Sequence, residues 1–189
     1  MSALVEVRDL RRVFDVSKSW LERTIEREPK RFLKAVDGVS FDIVKGETLA
    51  LVGESGSGKS TVARMVVGLL TPSGGTVRID GVSMNDPESA SQLRNLRRRI
   101  QMIFQDPYAS LNPRWRVDRI IAEPMRAFDT EPSDAACIAR VGELLKLVGL
   151  DPADGVKYPH EFSGGQRQRI AIARALAAKP EFIVCDEPT

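Results

Sequence analysis

The stretch Gly53-Glu54-Ser55-Gly56-Ser57-Gly58-Lys59-Ser60 fits the pattern G-x-x-x-x-G-K-[ST] without a mismatch, and no other feature of the chain limits its fold so tightly. The pattern works only between a strand and a helix. Its glycines open backbone angles closed to other residues, so that successive amide N–H groups turn inward and form an anion nest at a helix N-terminus. Both flanks are present. Thr48 to Val52 is an apolar run of strand length, predicting a strand buried on both faces of a parallel sheet. Thr61 to Leu70 reads as the helix that follows. Strand, glycine-rich turn and helix together open an α/β layer fold. The loop from Gly53 to Thr61 is then a phosphate site, with Lys59 reaching the β and γ phosphates of a nucleoside triphosphate and Ser60 offering its hydroxyl to Mg²⁺. A flexible Gly-Ser loop is the alternative. It leaves the eight-residue match and its flanks unexplained.

The remainder of the chain supplies a soluble frame for that loop. At 189 residues, 42% hydrophobic and 29% charged, it has globular composition and room for one sizeable core. A net charge of +2 points to no particular partner, and the run Arg94, Arg97, Arg98 and Arg99 reads as a solvated helix face, so nucleic acid is not an expected ligand. Cys137 and Cys185 stand alone, without metal-ligand spacing, which fits a reducing compartment. No apolar stretch approaches the roughly 18 residues that span a bilayer. Leu4 to Val7 and Val39 to Ile43 read as short alternating strands, and Thr76 to Asp80 as a strand entering a tight turn at Gly81. Asp15 to Lys34 is polar, without period, and reads as a loop or insertion.

Residues 115 to 150 change character. Pro113, Pro124, Pro132 and Pro152 punctuate a set of short helices, and Ile138, Val141, Leu145 and Val148 mark an amphipathic helix that Gly149 can end. Ser163 with Gln166 three residues on forms a capping-box pattern, Lys179-Pro180 marks that helix's exit, and Phe182 to Cys185 reads as a second buried strand.

Ser163-Gly164-Gly165-Gln166, within YPHEFSGGQRQRIAIARAL, resembles the signature motif of ATP-binding-cassette ATPases. Two glycines behind a serine cap expose amide donors suited to a phosphate, though a plain capped helix has the same local pattern. The order of motifs favours the resemblance: the phosphate loop precedes the signature, and Asp186-Glu187 follows it. Gln105, in QMIFQDPYASLNPR, matches the family's Q-loop glutamine, which implies contact with Mg²⁺ or the attacking water. Asp186 is then a Mg²⁺ ligand through water, and Glu187 the residue that polarises the nucleophile. Phe14 stands where the family places an aromatic that stacks on adenine; core packing remains the alternative there. FLKAVDGVSFDIVKGETLALVGESGSGKST and MIFQDPYASLNPR narrow the resemblance to the ATP-binding subunits of oligopeptide and dipeptide importers, a branch that also serves nickel and glutathione. The insertion near residues 15–34 resembles one branch of those paired subunits.

The resemblance implies a P-loop NTPase (RecA-like) core with an N-terminal antiparallel β subdomain over residues 1–106 and 166–189, and a helical signature subdomain over 107–165. It implies ATP and Mg²⁺ as ligands, transmembrane permease subunits and a second ATPase subunit as partners, indirect work with a solute-binding protein, and a peripheral place on the cytoplasmic side of the membrane. The family pattern continues past Thr189 with a loop that contacts the opposite subunit and with a switch histidine. The one histidine here, His160, lies three residues before the signature serine and is expected to serve local packing. The chain therefore reads as the front part of a longer subunit, with core strands wanting and a sheet edge open, and it is expected to bind ATP and hydrolyse it poorly. A soluble ABC ATPase of DNA repair or translation is the competing reading; it predicts a long coiled-coil insertion or tandem cassettes, and neither is visible in the sequence.

Overall fold

In the computed structural model, residues 3–20, 22–23, 28–84 and 90–187 are described. They fall into two compact units, Met1–Ser89 and Ala90–Thr189. The first is built on an antiparallel sheet of order β2-β1-β3-β4, with β1 Ala3–Asp15, β2 Phe32–Val44, β3 Gly74–Ile79 and β4 Val82–Ser83. The first two strands are far longer than their alternating cores suggested. They pair with each other through several register shifts, which let polar stretches continue the ladder beyond the apolar positions. Leu4, Val5, Val7, Leu10, Val77 and Ile79 are buried. Asp80 (φ 51°) and Gly81 (φ 76°) both take left-handed angles in the two-residue turn from β3 to β4, as Asp-Gly hairpin turns require. Helix α1, Lys59–Val66, buries Val62, Met65 and Val66 at a helical spacing. The predicted insertion shortens to residues 16–31, of which 21 and 24–27 lie outside the described residues.

One expectation fails plainly in this unit. Thr48 to Val52 is neither a strand nor buried: Leu49, Leu51 and Val52 are 47%, 45% and 89% exposed, and the segment belongs to neither sheet among the described residues. An apolar run states what a segment tolerates as an environment, whereas a strand exists only through a hydrogen-bonding neighbour. Helix α1 is also shorter than Thr61 to Leu70, because the chain leaves the helix at Val67 and Gly68 takes φ 72°.

The second unit carries α2 Ala90–Arg99, the two-stranded parallel sheet of β5 Ile100–Ile103 and β6 Phe182–Cys185, α3 Pro107–Ser110, α4 Val117–Ala127, α5 Asp134–Leu147 and α6 Gly164–Ala177, with 3₁₀ turns at Pro152–Val156 and Pro159–Glu161. Its core gathers Val117, Ile120, Ile121 and Met125 of α4 with Cys137, Val141, Leu144 and Leu145 of α5 and Ile170, Ala173 and Ala177 of α6. The buried stripe of α5 thus starts at Cys137, while Ile138, expected inside, is 70% exposed. Pro124 lies within α4 and does not interrupt it. It lacks the N–H that would reach the Ile120 carbonyl, and its ring crowds that oxygen. Strand β6 forms where expected but is half-buried, with Cys185 exposed and both cysteines free. The arginine run on α2 does more than face solvent: Arg94 donates to the Ala127 carbonyl and to Asp129, and Arg99 clasps Glu181.

Candidate nucleotide site

The phosphate loop turns into α1 at Gly58, whose φ of 94° only glycine takes without strain; a Cβ there would lie 2.3 Å from the Ala35 carbonyl oxygen. Gly56, at φ 81°, bends the loop in the same sense. The N-cap residue of α1, Gly58, has no side chain to cap the helix. Lys59 folds back over the loop, and its Nζ donates to the carbonyls of Gly53 and Glu54, each at 2.9 Å. The amide of Ser57 donates to Glu54 at 3.1 Å, closing the turn from below. Left-handed glycines and a lysine ammonium at the start of a helix are of the type that takes a polyphosphate, and the macrodipole of α1 adds to the attraction for an anion.

Phe14 lies near the end of β1, half-buried, with the Arg12 guanidinium 4.6 Å from its ring centroid. Arg12 is fixed in turn by donating to the Thr71 carbonyl at 2.7 Å. Arg12 was not picked out from the sequence; the signal was available in the two-residue spacing, which puts positions 12 and 14 on the same face of a strand. The cation covers one face of the ring.

In the second unit, β5 and β6 run parallel, and the residues just past their C-terminal ends meet. Gln105 Nε2 donates to Glu187 Oε2 at 2.9 Å, across 82 positions of sequence. Glu187 takes φ 46°, an angle that costs a non-glycine residue on the order of 1–2 kcal/mol. Asp186, only 5% exposed, is held through its own amide to the Ile103 carbonyl. Ligands in α/β sheets gather at this carboxyl end of the strands. Among the described residues no cluster of three or more His, Cys, Asp or Glu could cage a metal. Asp186 and Gln105 carry side-chain oxygens at this end of the two strands.

Ser163 caps α6 through the reciprocal bonds its sequence predicts: its amide donates to Gln166 Oε1 at 2.9 Å and the Gln166 amide donates to Ser163 Oγ at 3.3 Å. Gly164 and Gly165 follow, exposed, with ordinary φ, and a Cβ built on either meets nothing within 4 Å. Among the described residues nothing requires glycine there, although each costs about 0.5–1 kcal/mol of helix stability against alanine. The room they leave faces outward.

Residues 36–189 match the ABC transporter family. The chain belongs to that family. The oligopeptide transport ATP-binding protein OppF of Bacillus subtilis is 53% identical over 160 residues, which are 85% of this chain and 52% of the relative. OppF of Salmonella typhimurium is 48% identical over 98% of this chain and 54% of its own length, and the dipeptide transport ATP-binding protein DppF of Lactococcus lactis is 51% identical over 89% and 54%. The chain thus spans about half the length of the curated relatives it matches. Among solved structures, the dimeric, post-hydrolysis ATP-binding cassette MJ0796 bound to ADP and Pi superimposes with a TM-score of 0.81 at 29% identity, covering 98% of this chain and 74% of that one. CbiO1 of Clostridium perfringens, part of the cbiONQ ABC transporter complex, gives 0.71 at 28%, covering 100% and 67%. The fold is that of an ABC cassette, an α/β P-loop architecture with an antiparallel β unit and a helical region carrying the signature.

Proposed function

We propose that this ABC-family chain is the ATP-binding and ATP-hydrolysing part of an importer that takes up peptides or a related small solute. The observation that carries the hydrolytic role is the bond between Gln105 and Glu187 at the carboxyl ends of two parallel strands. It holds a carboxylate beside an amide, where the one can accept a proton from water and the other can orient that water. In this reading the amides of Gly53 to Thr61, with Glu54, Ser55 and Ser57 shaping the turn, bind the phosphates, Lys59 neutralises their charge, and Phe14 stacks on the base. Ser60, Gln105 and Asp186 hold Mg²⁺, which would neutralise the charge that develops on the phosphate oxygens. Glu187 takes the proton from the attacking water.

The outward room at Gly164 and Gly165 favours a second subunit, whose nucleotide meets the Ser163 to Gln166 turn of this one. The relatives' names support the peptide class, and the dimeric neighbour supports the pairing. Residues 1–106 and 166–189 are read as the nucleotide core, and 107–165 as the helical arm that meets the permease subunits at the cytoplasmic face of the membrane, a solute-binding protein acting on its far side. Among the described residues no helix is long and apolar enough to cross a membrane. A chain that depends on a second signature turn is expected to bind ATP alone and turn it over slowly.

Glu187→Gln in the full-length subunit tests the chemistry: hydrolysis should fall by at least a hundredfold, the usual weight of a general base, with nucleotide affinity kept. Turnover equal to wild type would refute the catalytic assignment. Affinity capture of the full-length protein from detergent extract should bring polytopic permease subunits; recovery of ribosomes or DNA instead would favour a non-transport ABC ATPase.

A further inference from the structure

Arg167 is 7% exposed, and its guanidinium touches two segments remote in sequence. Nε donates to the Pro159 carbonyl at 2.6 Å and Nη2 to the His160 carbonyl at 3.4 Å, both in the 3₁₀ turn that leads into Ser163. The Tyr108 ring lies 3.8 Å from Cζ. Tyr108 sits three residues after Gln105, in the single turn of α3, where its amide is fixed by Asp106 Oδ1 at 2.8 Å. Seven residues further along the same face of α6, the half-buried Arg174 donates to the Ser110 carbonyl at the other end of α3. Two arginines of the signature helix therefore grip both ends of the short helix that follows Gln105. The remaining Nη1 of Arg167 is buried without a hydrogen-bond partner. Leaving a buried donor unpaired is costly, and a leucine or methionine would fill the same space without that cost, so packing alone gives no reason for an arginine here.

We infer that Arg167 and Tyr108 form a positioning pair that ties the Gln105 segment to the Ser163 turn, so that the hydrolytic glutamine and the signature serine shift together as one piece. The inference rests on the ATPase reading above. Neither residue touches nucleotide. Their role is to carry a displacement of Gln105 to the signature turn of the same subunit, and the reverse.

Tyr108, 64% exposed, can be changed without opening the core. In the full-length subunit Tyr108→Leu should lower kcat about two- to fivefold, the order expected for losing a cation–π contact with an exposed ring, and leave KM for ATP within about twofold. Tyr108→Phe, which keeps the ring, should restore kcat. Without nucleotide, hydrogen exchange in residues 160–166 should be severalfold faster in Tyr108→Leu than in wild type, with α5 unchanged. Arg167→Met should reproduce both effects where it folds. Unchanged kcat and exchange in Tyr108→Leu would overturn the inference, and so would a loss that Tyr108→Phe fails to restore. A wild-type protein that neither binds nor hydrolyses ATP would instead remove the ATPase reading itself, a result separable from any effect of Tyr108.

Discussion

Lys59 shows how one side chain serves two states. Its ammonium now satisfies two carbonyls of its own loop, so a bound triphosphate must offer better acceptors than Gly53 and Glu54. A phosphate does, since it sets a full negative charge against the ammonium where a carbonyl offers only a dipole. Lys59→Ala should weaken ATP binding by on the order of 2–5 kcal/mol, measurable by calorimetry, the range for removing one partner of a hydrogen-bonded charge pair. Gly165 gives the opposite profile. Its Cβ position is open, so Gly165→Ala should raise thermal stability slightly, by about 0.5–1 kcal/mol, while lowering ATP-dependent dimerisation and turnover of the full-length subunit. Loss of stability with normal turnover would mean that the outward room has no partner.

At the level of strands and helices, β1 is the element most constrained by backbone geometry. Gly75 of β3 takes φ 80° against the irregular stretch of β1 between Arg8 and Arg11, and a Cβ there would lie 2.2 Å from the Asp9 carbonyl oxygen. Neither backbone can yield without unzipping the ladder. Gly75→Ala should destabilise the first unit by about 3 kcal/mol in urea unfolding, combining left-handed strain with a clash against main chain. Helix α6 is organised differently along its length. Its first turn is capped and exposed, its inward face holds Arg167 and Arg174 on loop carbonyls, and its last turns bury small alanines against the core. Burial disfavours the charged form of Arg174, with Glu123 partly offsetting it, as fits a cation spent on a carbonyl.

For the chain as a whole, Leu49, Leu51 and Val52 are the exposed feature with the clearest consequence. Three large apolar side chains within four positions, outside either sheet, form a surface that water disfavours and another molecule can cover. The 189-residue chain should self-associate with rising concentration, and Leu51→Lys with Val52→Lys should reduce that association in light scattering while leaving the far-ultraviolet spectrum intact. A monomeric wild type at high concentration would show that the stretch is covered in solution.

Local chemistry explains which parts of this molecule could be read in advance. The phosphate loop and the capping box at Ser163 depend on residues within eight positions of one another, and glycine angles, caps and charges act at that range. The strand at Phe182 and the ends of α6 were legible for the same reason. The run at Thr48 to Val52 was not, since a strand needs a neighbour that no local pattern supplies. Nor could spacing show that Gln105 reaches Glu187 or that Arg167 lies against Tyr108. Those contacts join residues brought near only by strand pairing and helix packing, and burial then fixes which nitrogen of a guanidinium finds a partner and which does not.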